Sequence, residues 1–108
     1  MRRYMIQATT TPQGAAALLQ KPEDRTEAIR PIFEAVGGSL EHYYLSLAEN
    51  AIIMIANVPD EVSLGALMVA FFARAPWASF RAMPIMTASE SVEVFKRAAN
   101  IAYRPPGR

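Results

Sequence analysis

Residues 34–60 read EAVGGSLEHYYLSLAENAIIMIANVPD, an order of residue types that predicts a helix end, a strand, a tight turn, a second strand and a new helix start without a spare residue. Gly37 and Gly38 end the first helix, because glycine takes the left-handed backbone of a helix terminus without a Cβ penalty. Residues 39–47 and 51–58 are strands separated by Ala48, Glu49 and Asn50, a hairpin-length connection in which Asn50 tolerates positive φ. The two strands are therefore antiparallel neighbours. The second, AIIMIANV, is apolar on both faces and belongs in the middle of a sheet covered on both sides. Asp60, after Pro59, caps the next helix, whose inward stripe is Leu64, Leu67, Met68, Phe71 and Ala75.

Working outward from this hairpin, residues 3–10 place Tyr4, Ile6 and Ala8 on one side and Met5, Gln7 and Thr9 on the other, the alternation of a strand with unequal faces. Thr11 caps a short helix over residues 13–21, with Pro12 at the first position where its missing amide costs nothing. Pro22 interrupts it. Helical spacing resumes through Ala28, Ile29, Ile32, Phe33 and Val36, with Pro31 expected to kink that helix. Residues 80–86 form a last strand, and Pro84, which cannot donate to a ladder, assigns it to a sheet edge or a bulge. Thr87 and Glu90 make a capping box for a terminal helix bearing Val92, Phe95, Ala99 and Ala102. The fold class is thus α+β: a ferredoxin-like βαββαβ domain over residues 1–102 with a four-stranded antiparallel sheet and a C-terminal helix, followed by a tail over residues 103–108. The first and third strands take the centre of that sheet. Helices cover only one face, so the two-sided apolarity implies that the other face meets a second subunit.

Composition points the same way. A chain of 108 residues is one domain by size and buries about two-thirds of its unfolded surface. With 52% hydrophobic and 19% charged residues it carries an apolar excess that a partner subunit would absorb. A net charge of +1 without a run of like charges lacks the electrostatic footprint of a nucleic-acid binder. No cysteine means no disulfide, thiolate nucleophile or cysteine-held metal. The apolar runs at 51–56 and 64–73 fall far below the ~20 residues of a membrane span. Arg2 and Arg3 open the chain as a signal peptide would, but residues 4–11 soon turn polar and no cleavage-type region follows. The mature chain is expected to begin here, in the cytoplasm.

The helix end at Gly37 and Gly38, the strand through Tyr44, the turn, the apolar strand and the Pro59-Asp60 helix start together resemble the GYD family of small bacterial proteins, from Tyr4 to about Phe95. The family's Gly-x-Tyr-Asp turn reads Ala48, Glu49, Asn50 and Ala51 in this chain, so the signature itself is degenerate. The resemblance implies kinship with the dimeric α/β-barrel superfamily, in which two ferredoxin-like subunits pack sheet against sheet. Small monooxygenases, isomerases and effector-binding domains share that architecture, so membership by itself selects no chemistry.

The candidate pocket residues are His42, Tyr44, Asn50, Trp77 and Arg81. His42 is the sole histidine, the residue type suited to acid–base work, yet one histidine builds no multi-ligand metal site. Strand alternation turns it the same way as Leu40 and Tyr44 and sets Glu41 on the opposite face. Tyr43 and Tyr44 fall on opposite faces. Asn50 can hydrogen-bond a ligand but cannot serve as a general base at neutral pH. Arg74 and Arg81 flank the Ala75-Pro76-Trp77 loop, where a guanidinium can grip a carboxylate and the indole can lid a pocket or plug the gap between sheet and helices. Glu23, Asp24, Glu27 and Arg30 read as the solvated acidic start of a helix. No serine stands in a nucleophile elbow, no glycine-rich phosphate loop is present, and the central strand lacks the aromatic and basic residues of an RNA-binding sheet. No catalytic residue, metal or cofactor is assigned. The expected function is a non-catalytic homo-oligomeric module, a homodimer or larger, that takes a small apolar or carboxylate ligand between sheet and helices. The alternative is a cofactor-independent monooxygenase or isomerase using His42 with Tyr44 or Asn50.

Overall fold

The computed structural model describes residues 1–74 and 77–107. Its elements run β1 (Arg2–Thr10), α1 (Pro12–Gln20), α2 (Thr26–Glu34), β2 (Ser39–Ser46), β3 (Ala51–Val58), α3 (Glu61–Arg74), β4 (Trp77–Ile85) and α4 (Ala88–Ala99). The four strands are antiparallel in the order β2-β3-β1-β4, the ferredoxin-like arrangement, with β1 and β3 central and the proline-bearing β4 at an edge. Strand β4 begins at Trp77, so the tryptophan assigned to a loop is the first residue of the edge strand. Ala75 and Pro76, including the last position of the expected α3 stripe, lie outside the described residues.

One face of the sheet makes the core. Tyr4, Ile6 and Ala8 from β1 and Ile52, Met54, Ala56 and Val58 from β3 meet Ile29 and Phe33 of α2 and Leu67 and Phe71 of α3. The Phe33 and Phe71 rings touch at 6.0 Å between centroids, and Phe80 of β4 extends the aromatic row from Phe71 at 5.6 Å. The helix starts use the chemistry their sequences announced. Thr11 Oγ1 accepts from Gly14 N, Asp60 Oδ1 from Ser63 N, and Thr87 with Glu90 forms the reciprocal capping box. Helix α2 continues through Pro31 and ends in a Schellman-type pair of bonds, Gly38 N to Phe33 O at 3.0 Å and Gly37 N to Glu34 O at 2.9 Å.

The two glycines do different things there. Gly37 has φ +79°, the left-handed region. Gly38 lets α2 hand the chain to β2 against the backbone of β3, since a Cβ on it would stand 2.3 Å from the carbonyl oxygen of Asn57. Asn50 has φ 50° in the hairpin turn, as its type allows.

Helix α4 behaves unlike the others. None of its residues is buried, and Val92 and Phe95 remain 49% and 68% exposed. The chain accordingly extends over 59 × 34 × 24 Å with a radius of gyration of 17.5 Å, against about 13 Å for a compact chain of this length.

Two glycine substitutions test these assignments by urea denaturation. Gly38→Ala should destabilise the protein by about 1–3 kcal/mol, because β3 backbone and not a flexible side chain must give way. Gly65→Ala, in α3 with nothing within 4 Å of the added methyl, should stabilise it by about 0.5–1 kcal/mol.

Candidate functional site

The sheet divides the candidate residues between its two faces. On the helix-free face β1 contributes Arg3, Met5, Gln7 and Thr9, β3 contributes Ile53, Ile55 and Asn57, and β4 contributes Ser79, Arg81, Met83 and Ile85, all fixed by the pairing register. Strand β2 joins them through a bulge. Leu40 pairs with Ala56 and points into the core, but the next register pair is His42 with Ile55, so Glu41 is the extra residue. His42 therefore faces away from Leu40, which corrects the simple alternation expected from the sequence. Glu41 lies on the same side as His42, because its carboxylate accepts from Arg3 Nε at 3.0 Å and Asn57 Nδ2 at 2.5 Å, both on the helix-free face.

The His42 ring stacks on Tyr44 with centroids 5.6 Å apart and an interplanar angle of 18°. Arg81 shares that face but belongs to the opposite edge strand, across β3 and β1. Asn50 is at the hairpin turn, where neighbouring Glu49 accepts from Gln7. Trp77 lies on the other face, packed against the core. His42 and Tyr44 are thus brought together, and the five candidates do not form one pocket. Hydrogen bonds from Asn57 and then Arg3 hold the Glu41 carboxyl below the usual carboxylate range. Arg3 also reaches Glu90 of α4 at 3.4 Å.

A cavity lies on the helix side. It has a volume of about 510 Å³, within the range of small-molecule sites, and opens where β1 ends, β3 begins and α3 approaches β4. Its floor is Tyr43, Ile52 and Phe71, its helical walls are Ala17 and Leu18 of α1 with Ile29 and Ile32 of α2, and Trp77 closes one side. The cavity exists because α1 packs lightly: Gly14 is its one buried residue, while Leu19 stays exposed. Tyr43 is half withdrawn from water, and that burial pushes its phenol pKa up, opposed by the charge of Arg25.

Polar groups gather at the mouth. Lys21, Arg25 and Arg74 stand there with a single carboxylate, Glu23. Glu23 accepts from Arg25 Nη1 at 2.8 Å and lies 3.8 Å from Lys21 Nζ, and the Arg25 hydrogen bond leads the causes that lower its pKa. No acidic group among the described residues pairs with Arg74. The indole Nε1 of Trp77 is buried and has no acceptor among the described residues, a cost of about 1–3 kcal/mol for an orphaned donor.

Of the mouth residues, Arg74 and Trp77 are legible as candidates in the sequence, whereas Lys21 and Arg25 join them only because the segment after α1 turns back over the sheet. Their one sequence sign is that residues 21–25 place a proline among charged residues between two helices. Among the described residues, no three His, Asp or Glu side chains are grouped to hold a metal ion, and no helix is long and apolar enough to cross a membrane.

The family model of the GYD domain matches residues 4–95, most of the chain. Comparison with curated proteins found no match.

The Glu41 cluster predicts an acid-sensitive increment of stability. A carboxyl whose pKa is depressed on folding stabilises fully above its unfolded value, 4.5 for Glu41, and that contribution disappears as pH falls through the lower folded value. Thermal melts should therefore show Glu41→Gln destabilising the protein at pH 7, with the difference from wild type shrinking below about pH 4.5. A difference independent of pH would sink the assignment.

Proposed function

The chain belongs to the GYD domain family, and on that premise we propose that it is a non-catalytic, self-associating module that holds a small ligand. The observation that carries self-association is the pairing of two unpartnered apolar surfaces. Met5, Ile53, Ile55 and Met83 line the helix-free sheet face, and α4 projects with Val92 and Phe95 uncovered. Four strands of this length present a face of about 26 × 19 Å, roughly 500 Å². A three-turn helix adds roughly 200 Å². Their sum approaches the ~800 Å² per partner of a stable interface. A second copy of the chain supplies matching apolar and polar groups, because the charged groups Arg3, Arg81, Glu41 and Glu90 carry both signs in equal number and oppose themselves without net repulsion.

The non-catalytic part of the reading is supported by separation. His42, the sole histidine, lies on the opposite side of the sheet from the cavity that would hold a substrate. Its close neighbours are the Tyr44 ring and a Glu41 carboxylate already engaged by Arg3 and Asn57. General acid–base work needs the proton carrier within hydrogen-bond reach of the reacting group, and this geometry does not offer it.

Sedimentation velocity at micromolar concentration should show a dimer or larger species. Met83→Asp and Phe95→Asp, both outside the core, should each raise the dissociation constant about 10-fold or more while leaving circular dichroism unchanged. A monomeric wild type at these concentrations would refute self-association and leave the apolar face and α4 without a partner.

A further inference from the structure

We infer that the cavity between α1, α2, α3 and the sheet is a binding site for a small amphipathic carboxylate, with its hydrocarbon body among Ile29, Ile32, Ile52 and Phe71 and its charge at Arg74. This rests on the ligand-binding half of the proposed function and is independent of self-association. Size admits such a ligand, since about 510 Å³ accommodates a body of eight or more carbon atoms. The lining sets the chemistry of the body. Aliphatic and aromatic side chains from α2, α3, β2, β3 and β4 meet there, and such a surface gains about 25 cal/mol for each Å² taken from water.

Charge sets the chemistry of the head. Three cationic side chains face one carboxylate at the mouth, so the rim is positive by two even though the whole chain carries only +1. Glu23 occupies Arg25 and sits near Lys21, leaving the Arg74 guanidinium, among the described residues, as the donor set with open capacity. Arg74 is also in the last turn of α3, where its charge already complements the helix dipole, so it is held near the mouth before any ligand arrives. A planar guanidinium matches a carboxylate through two parallel hydrogen bonds. A dianion or phosphoester would favour a glycine-rich backbone cradle as well, and the lining contains one glycine, Gly14, whose amide is engaged by Thr11.

Trp77 lines the wall of the same cavity, where its ring offers a flat apolar surface to the ligand body. As the single tryptophan, it also reports occupancy directly.

The test uses the full-length protein and its Trp77 signals: fluorescence, and the one indole N–H resonance in a ¹⁵N spectrum. The probes are octanoate and 3-phenylpropionate, each titrated beside its primary amide. Saturable changes in both signals are expected, with the acid bound about 10-fold more tightly than the amide. Arg74→Gln should reduce that preference to about 3-fold or less while amide affinity stays unchanged. Ala70→Phe, which narrows the cavity, should weaken acid and amide together with sedimentation unaltered. Equal affinity for acid and amide would overturn the carboxylate assignment and leave a neutral-ligand pocket. No saturable binding of any probe would overturn both the inference and the ligand-binding half of the proposed function.

Discussion

Strand β3 sets the terms for the rest of the structure, because it is hydrogen-bonded along both edges, to β1 and to β2, and carries apolar side chains on both faces. A strand in that position cannot slip by one residue without moving Met54, Ala56 and Val58 out of the core. Its register in turn fixes β1 and, through β1, the edge strand β4. The seat of α2 obeys the same strand, since the approach of Gly38 to the Asn57 carbonyl decides how close the helix layer lies. Core side chains from α2 and α3 then cover the Met54, Ala56 and Val58 side of β3.

Covering one face leaves a debt on the other. Ile53 and Ile55 cannot be buried by a helix of this chain, because the split βαβ connections deliver α2 and α3 to the same side. Helix α4 starts beside that open face, tied by Glu90 to Arg3, and leaves without burying its apolar stripe. Both surfaces are consequences of topology, which leaves them uncovered among the described residues. The polar cluster of Arg3, Glu41 and Asn57 marks the rim of the face and gives it local order. Such part-exposed pairs contribute little stability each, so their effect is on local geometry more than on stability.

On the covered side, the lightly packed α1 makes the difference between a filled core and a cavity. Gly14 is the one residue of α1 that is buried, and Ala17 and Leu18 further along line the space over Ile52 and Tyr43. The segment after α1 brings Lys21 and Arg25 back over that space, opposite Arg74 at the end of α3. Hydrophobic walls with a cationic mouth result from four separate elements, none of which shows the feature alone.

The sequence alone determined the elements and their order, because each depends on neighbours within a few residues: a threonine or aspartate that accepts from the next helical turn, a glycine pair that ends α2, and alternation or continuity of apolar residues along a strand. It also placed β3 centrally and β4 at the edge, since two-sided apolarity and a proline report how many neighbours a strand can have. Only the tertiary structure decided which way His42 faces, because the bulge at Glu41 depends on how β2 meets β3 and leaves no local signature. The cavity and its cationic rim were likewise settled there. Residues 21, 25, 74 and 77 line one cavity from segments some fifty residues apart, where side-chain volume and helix placement, and not local periodicity, fix what meets.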